Sequence, residues 1–174
     1  ARRLEGIVLT SPRSDHLAGL MEALRRYRVS LALEPELSDS TATFREWQRR
    51  LEATGIPRLA ARPGLRLSLG EALLEVLNQD PVVLRLSYGR ISFLLASDLD
   101  AEKEGELRLG GMPLRSTVLA AGSQAALSPA FLAAVNPGIA VVSPAAGSSQ
   151  EVRGRLRDQV GEGRYFTEEW RRIT

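Results

Sequence analysis

The fold is decided by residues 7–20, which read IVLTSPRSDHLAGL. Residues 6–10 form an apolar run of the kind found in a short strand that is buried on both faces. The Ser11-Pro12 pair favours a turn, and beyond it apolar residues recur at helical spacing from Leu17 onward. The stretch therefore predicts a strand, a loop and a helix in immediate succession.

Strands and helices continue to alternate along the rest of the chain. Capping signals indicate the helix starts: Ser14 for the first, a Thr43–Glu46 capping box for the second, Ser128 before Pro129 for the third, and Ser148 with Glu151 for the last. We predict helices near residues 15–27, 43–54 and 129–135, and a last helix that carries Val152, Leu156 and Val160. Strands are predicted at residues 6–10, 31–33, 65–69, 72–77 and 139–142, and a hairpin about Gly89 joins residues 82–88 to residues 91–96. This order predicts two sheets with helices outside them.

The composition is that of an ordinary globular protein, with 44% hydrophobic and 25% charged residues in a chain of 174. This length suffices for one domain with its own core, and no repeat, linker or low-complexity tract divides the chain. Residues 1–174 are therefore predicted to form a single domain. No apolar run approaches the roughly 18 residues that a membrane span needs, so we expect a soluble α/β domain.

Two residue counts limit the chemistry that the chain can perform. The absence of cysteine excludes disulfides, thiolate metal sites and cysteine nucleophiles. The single histidine, His16, offers one imidazole where a two-metal hydrolase takes several. A net charge of +2 gives no large overall attraction to nucleic acid. Half of the arginines fall in groups around Arg25, Arg49, Arg153 and Arg171, which are predicted to be solvated and partly paired with glutamates, as Glu46 with Arg50.

Three long segments of the chain share a family resemblance. Residues 7–20 resemble the strand–loop–helix motif of the metallo-β-lactamase-like module in ComEC-type DNA-uptake proteins, whose loop reads His-x-Asp-x-Asp-His. Residues 82–98 resemble the family's hairpin, with Asp98 at the position of its bridging carboxylate. Residues 118–137 resemble its Pro-His-His-Gly-Ser segment and the following helix, and residues 165–167 resemble its final strand. The resemblance covers nearly the whole chain in the family's order.

The resemblance implies a mixed α/β fold, the metallo-β-lactamase-like αββα four-layer sandwich. Two mixed sheets would lie face to face, with the helices packed outside them. The family's opening β-hairpin has no counterpart before residue 7, so the chain is expected to lack it and to be a fragment of a larger membrane protein.

The family's first metal ion is expected to be lost here. In the superfamily, two ions generate hydroxide at neutral pH and bind the phosphoryl oxygens of the substrate. The first two ligand positions of the motif hold Ser11 and Arg13 in this chain. A serine hydroxyl is a poor ligand for zinc or manganese, and a guanidinium has no lone pair to offer a cation. We therefore expect no catalytic residues.

The second ion keeps part of its ligand set. The resemblance places Asp15, His16 and Asp98 at ligand positions, whereas the two histidines of the other segment are replaced by Ala120 and Ala121. Asp15, His16 and Asp98 are thus weak metal candidates, expected to share one pocket. No cofactor is expected, and zinc or manganese would bind only if this remnant is functional.

Each remnant residue also has an ordinary structural interpretation. Asp15 favours the positive end of a helix, His16 is explained by hydrogen bonds within the loop, and Asp98 with Asp100 by capping of the segment that follows. Arg13 is either a solvated loop residue or a resident cation that replaces the charge of the metal beside Asp15 and Asp98.

The ligand losses favour one role over two others. We expect a catalytically inactive accessory domain of a ComEC-type DNA-uptake channel, with the membrane channel portion of the same polypeptide as its partner. An electrostatic, non-specific contact with transported DNA is expected, and no small-molecule substrate is evident. The domain would lie on the extracytoplasmic face of the inner or plasma membrane. The alternatives are an active metal-dependent nuclease that degrades the strand that is not imported, and a purely structural role in channel assembly.

Overall fold

The computed structural model describes residues 2–36, 41–97, 99–122, 125–143 and 150–166. The chain divides into two compact units, one of Ala1–Pro63 with Asn78–Val82 and the other of Gly64–Leu77 with Val83–Thr174. Each unit contains its own cluster of buried apolar side chains. In the described ranges, no helix is both long enough and apolar enough to cross a membrane.

The first unit contains short parallel strands and two helices. Its strands are β1 (Arg2–Leu4), β2 (Ile7–Val8), β3 (Tyr27–Val29), β4 (Ala32–Glu34) and β5 (Arg58–Ala60), and its helices are α1 (Ser14–Arg26) and α2 (Ala42–Thr54). β1 pairs with β3, and β2, β4 and β5 form a separate three-stranded sheet, with every pairing parallel. The strands predicted near residues 6–10 and 31–33 and both predicted helices are confirmed, whereas β1, β3 and β5 were not expected.

Helix α2 shows how the core of the first unit forms. Phe44, Trp47 and Leu51 recur three or four residues apart, so they share one face of the helix and are fully buried. The hydroxyl of Thr41 caps the helix by accepting a hydrogen bond from the backbone N–H of Phe44. Gly55 ends it in the left-handed conformation, as predicted, at a φ of 65° that favours glycine.

Two predicted caps in this unit are wrong. Thr43 lies inside α2, and the Glu46 carboxylate accepts from Arg50 on the helix surface rather than from the N-terminal backbone. Ser14 is the first residue of α1, whose N-cap is Arg13 without a side-chain hydrogen bond. In both cases a neighbouring residue takes the extended conformation that a cap requires.

The second unit is built on a seven-stranded sheet. Its strands are β6 (Arg66–Leu69), β7 (Ala72–Gln79), β8 (Val82–Tyr88), β9 (Ile91–Ala96), β10 (Val118–Ala121), β11 (Ile139–Val142) and β12 (Arg164–Phe166), and its helices are α3 (Ala101–Leu109), α4 (Pro129–Val135) and α5 (Gln150–Val160). The order across the sheet is β12-β11-β10-β9-β8-β7-β6. β6 pairs antiparallel with β7 and β8 with β9, as the hairpin signals predict, whereas β9 to β12 are parallel.

Helices make the connections that parallel strands require. α3 follows β9, α4 follows β10 and α5 follows β11, and each chain segment then returns to start the next strand. The strands contribute Leu94, Leu119 and Ala140 to a buried cluster, and the helices contribute Phe131 and Leu156. The mixed α/β class and the predicted strands of this unit are confirmed.

The ends of the helices in this unit follow local signals. Ser128 caps α4 by accepting from the N–H of Phe131, and Asn136 ends it at a φ of 46°, so the predicted bounds are confirmed. Asp100 caps α3 by accepting from the N–H of Lys103, which agrees with the capping role considered for it. The sequence analysis did not predict α3 itself. Ser148, the predicted cap of α5, lies outside the described residues.

Gly122, which follows β10, is required by a close approach of two backbone segments. A Cβ atom at this position would overlap the carbonyl group of Ser97, which follows the neighbouring strand β9. Gly122 stands where the family's Pro-His-His-Gly-Ser segment has its glycine, so the backbone constraint of this loop is present although the histidines are not.

Glu104 on α3 has a buried carboxylate that organises the loop before α4. Only 1% of Glu104 is exposed. Its two oxygens accept hydrogen bonds from the backbone N–H groups of Leu127 (2.6 Å) and Ser128 (2.9 Å). Hydrogen bonds of this kind, to an ionised acceptor away from water, are among the strong ones in proteins.

We expect replacement of this carboxylate to destabilise the protein. Glu104→Ala leaves the N–H groups of Leu127 and Ser128 without an acceptor, at a cost of about 1–3 kcal/mol for an unsatisfied buried donor. Glu102→Ala, on the exposed surface of the same helix, is the matched control. Urea unfolding of both variants measures the difference, and equal free energies of unfolding would show that Glu104 does not have this role.

Candidate functional site

The loop that follows β2 carries the first set of predicted site residues, and its backbone is anchored on both sides. The N–H of Leu9 donates to the carbonyl of Leu33 (2.9 Å), and the carbonyl of Thr10 accepts from the N–H of Val82 (2.8 Å). Ser11, at one of the lost ligand positions, is only 8% exposed. The loop is therefore anchored by backbone hydrogen bonds on both of its sides.

Arg13 and Asp15 form an ion pair at the start of α1. The guanidinium donates two hydrogen bonds, from Nε to Oδ1 (3.2 Å) and from Nη2 to Oδ2 (3.1 Å). The two side chains are 51% and 60% exposed, so the pair is screened by water. The hydrogen bond from Arg13 holds the pKa of the Asp15 carboxyl below its ordinary value. Arg13 therefore contacts a carboxylate, as expected, and the ion pair is exposed to solvent rather than buried.

His16 lies one residue further along the first turn of α1 and is half-buried. Its Nδ1 shares a hydrogen bond of 3.1 Å with the hydroxyl of Thr10. The sequence analysis expected loop hydrogen bonds to hold this ring, and the partner found is a side-chain hydroxyl. This bond restricts the orientation of the imidazole ring.

The remaining predicted site residues belong to the second unit. Ala120 and Ala121 are the last two residues of β10, and Ala121 is buried. Their methyl groups offer no donor atom to a metal. Asp98 lies outside the described residues, so the expectation that it shares a pocket with Asp15 and His16 stays a prediction.

The residues at the ligand positions do not fit the two-metal centre of the family. Both oxygens of Asp15 are engaged by a guanidinium, whose positive charge opposes the approach of a cation. Ser11, Ala120 and Ala121 supply no imidazole or carboxylate. Among the described residues, no three histidine, aspartate or glutamate side chains are grouped closely enough to hold a metal ion.

Several of the predicted arginine groups are paired on the protein surface. Arg25 and Arg26 both donate to Glu22, whose pKa these hydrogen bonds lower to about 2. Arg49 and Arg50 pair with Glu46, so the predicted partner of Arg50 is confirmed. Each glutamate is shared by two arginines, so half of the positive charge of these four arginines is offset.

The sequence analysis missed a buried polar cluster in the first unit. Glu34, which is 6% exposed, accepts hydrogen bonds from Trp47 Nε1 (2.8 Å) and from Arg58 Nε (2.7 Å). Each charged or polar group thus has a partner, which is the condition for burying it. The cluster joins β4, α2 and β5, and we assign it a structural role. The feature of the sequence that could have indicated this cluster is the glutamate inside the apolar strand β4.

Comparison with solved structures identifies the fold. The chain is similar to CmlA, a diiron β-hydroxylase from Streptomyces venezuelae (TM-score 0.65, 12% identity, 95% of this chain and 44% of that one). It is also similar to the metallo-β-lactamase fold protein YhfI from Bacillus subtilis (TM-score 0.63, 12% identity, 94% of this chain and 74% of that one). A third similar structure is Zn(2+)-bound PqqB from Methylobacterium extorquens (TM-score 0.59, 8% identity, 94% of this chain and 70% of that one). No protein-family model and no curated protein sequence matches the chain.

These similarities show that the chain has the metallo-β-lactamase fold. The predicted fold class is therefore confirmed, although the identities of 8–12% carry no residue roles from one protein to the other. The chain spans less than half the length of CmlA. CmlA and PqqB are described as metal-containing, whereas the ligand positions of this chain hold the substitutions set out above.

The exposed ion pair at the start of α1 gives a pH-dependent prediction. Arg13→Ala should raise the pKa of Asp15 toward its ordinary value, because the hydrogen bonds that favour the carboxylate are removed. The folded-state pKa of Asp15 lies below its unfolded value. The pair therefore stabilises the fold above the unfolded pKa, and this contribution is lost as the pH falls through the folded pKa. Since the pair is exposed, the stability difference at neutral pH should be small.

The measurement is an NMR titration of the Asp15 carboxyl in the wild type and in Arg13→Ala. Arg3→Ala is the matched control, because Arg3 forms an equally exposed pair with Glu5 and should leave the Asp15 titration unchanged. An Asp15 pKa that is the same in all three proteins would mean that Arg13 is an ordinary solvated loop residue.

Proposed function

We propose that this chain is a catalytically inactive accessory domain, of metallo-β-lactamase fold, in a ComEC-type DNA-uptake channel. The observation that carries the inactivity is the Arg13–Asp15 pair, which places a guanidinium on the carboxylate that the family motif gives to a metal ion. The family assignment is supported by the order of the motifs along nearly the whole sequence and agrees with the fold.

The loss of hydrolysis follows from the chemistry of the family reaction. A metal-bound water loses its proton near neutral pH only because the cation stabilises the hydroxide. Here Ser11 and Arg13 replace two ligands of one ion, and Ala120 and Ala121 replace the histidines. Asp15 and His16 are each engaged by a neighbouring side chain. An open catalytic zinc usually retains three good protein ligands, and this chain does not supply them from the residues described.

The cellular setting is part of the same proposal. The partner would be the membrane channel portion of the same polypeptide, and the domain would lie on the extracytoplasmic face of the inner or plasma membrane. Its contact with transported DNA would be electrostatic and independent of sequence, as contacts between arginine and phosphate are. The fold without its metal centre would then serve as a scaffold beside the channel.

Metal content and nuclease activity test the inactivity directly. We expect the purified chain to contain no stoichiometric zinc or manganese by elemental analysis, and not to cleave single- or double-stranded DNA in manganese buffer. Asp15→Asn combined with His16→Ala is the control variant, because it removes the two remaining described ligands. One or two ions per chain, or a nuclease activity that this double variant abolishes, would instead establish the metal-dependent nuclease.

A transformation assay tests the channel role separately. In cells that carry the natural gene, deletion of this domain should lower DNA uptake, whereas the Asp15→Asn/His16→Ala variant should leave uptake near the wild-type level. The reason is that an inactive domain contributes through its fold and surface rather than through these two side chains. Uptake that is unaffected by the deletion would contradict the channel role, and uptake lost in the double variant would contradict the inactivity.

A further inference from the structure

Three arginines, two from the β8–β9 hairpin and one from the segment before β10, converge on one cavity of the second unit. The cavity has a volume of about 410 Å³, and its polar lining includes Arg85, Arg90, Arg115, Ser92, Thr117 and Asn136. Arg85 comes from β8, and the other residues lie at or just before the N-terminal ends of β9, β10 and β11. The parallel register of these three strands is what brings their starts together.

This cavity lies away from the ligand positions of the family within the same sheet. Ala120 and Ala121 are at the C-terminal end of β10, whereas Arg115 and Thr117 precede its N-terminal end. Because β9, β10 and β11 are parallel, their starts define one edge of the sheet and their ends the other. The arginine cavity is therefore at the edge opposite to the metal-site remnant of this unit.

The described residues that line the cavity carry positive charge without a matching negative one. None of them is an aspartate or a glutamate. Arg85 donates from Nε to the backbone carbonyl of Arg115 (3.3 Å), which carries no charge. In the part of the chain that the structure describes, Arg90 and the Arg115 side chain form no ion pair, in contrast to the arginines of α1 and α2. Arginine stays protonated under all ordinary conditions, so the three guanidinium groups create a local positive potential.

The floor of the cavity is held in place by hydrogen bonds. The N–H of Ser92 donates to the hydroxyl of Thr117, and the N–H of Thr117 donates to the hydroxyl of Ser92, both at 3.2 Å. The carbonyl of Thr117 accepts from the N–H groups of Gly138 (3.0 Å) and Ile139 (3.1 Å). These bonds join the starts of β9, β10 and β11, so the cavity exists before any ligand binds, which lowers the entropic cost of binding.

We propose that this cavity binds the phosphate group of a phosphate-bearing ligand. The planar guanidinium matches the oxygens of phosphate in bidentate geometry, and three such groups offer more donors than the two oxygens of one carboxylate can accept. The amide of Asn136 adds a neutral donor at the same cavity. Phosphoryl oxygens are the shared chemistry of two sources, a free phosphate compound and the backbone of a nucleic acid. The site does not depend on the role proposed above for the domain.

Calorimetric titration of the purified chain with two probes tests the proposal. One probe is inorganic phosphate and the other is a short single-stranded oligothymidylate, each titrated at low and at physiological ionic strength. Arg85→Gln, Arg90→Gln and Arg115→Gln should each weaken binding by about tenfold, the loss expected for one charge-assisted hydrogen bond. Arg28→Gln is the matched control, because it removes the same charge from an exposed arginine of the first unit and should leave the affinity unchanged.

The pattern of affinities identifies the source of the phosphate. Saturable phosphate binding that the three cavity variants weaken would support a site for a free phosphate compound. Oligothymidylate binding that is much tighter, and equally sensitive to the same variants, would support a nucleic-acid backbone. No binding of either probe, or an equal loss in Arg28→Gln, would overturn the proposal. Urea unfolding of each variant checks that its fold is intact. Arg→Lys at the same positions should restore part of the affinity, because lysine keeps the positive charge but cannot donate two parallel hydrogen bonds to the phosphate.

Discussion

The Glu104 carboxylate joins two consecutive crossover connections of the seven-stranded sheet. It lies on α3, between β9 and β10, and it binds the backbone just before α4, between β10 and β11. A parallel sheet cannot form from local hairpins, so the position of each crossover decides whether the next strand reaches its neighbour. Arg155 adds a hydrogen bond to the carbonyl of Ala126 in the same loop. The loop after β10 is thus held by protein groups on two sides.

This arrangement explains how protein groups alone can hold the loops of this fold in place. In a metalloenzyme, the loops that carry ligands are held partly by the ion, and removing the ion removes that support. Here the loop after β2 is anchored by backbone bonds at Leu9 and Thr10, and the loop before α4 by Glu104. Gly122 retains the close approach to Ser97. The geometry of these loops is therefore encoded in hydrogen bonds and close contacts of the protein itself.

The sequence predicted those parts of the fold whose causes are local. The hairpin about Gly89 and the helix from Ser128 to Asn136 carry strong turn and capping residues, and both were found where expected. Helix α3 was missed because its inward-facing residues include Glu104, which disrupts the apolar periodicity that marks a helix. β1, β3 and β5 have three residues each, too few for an alternating pattern, and their pairing depends on distant strands.

The candidate sites likewise divide into those that neighbouring residues form, which the sequence can predict, and those that distant strands bring together, which it cannot. The predicted ligand losses at Ser11 and Arg13 could be proposed from the sequence because the motif is continuous, and the pairing of Arg13 with Asp15 follows from their separation of two residues. The cluster of Arg85, Arg90 and Arg115 was not visible, since Arg115 reaches the two arginines of the hairpin only through the pairing of β9 with β10. A search for basic runs finds arginines on helices instead, and those of α1 and α2 have glutamates within one turn.

This contrast shows why the net charge of the chain is a poor guide to what it binds. The overall value of +2 averages over helix surfaces on which glutamates offset part of the arginine charge at short range. Potential at a binding site depends instead on charges that lack a partner and lie within a Debye length of one another. At the starts of β9 to β11, three arginines line one cavity, and none of the described residues of that lining is a carboxylate. A nearly neutral protein can therefore present a strongly basic site. Such a site is found by asking which arginines lack a carboxylate partner, and the net charge of the chain does not reveal it.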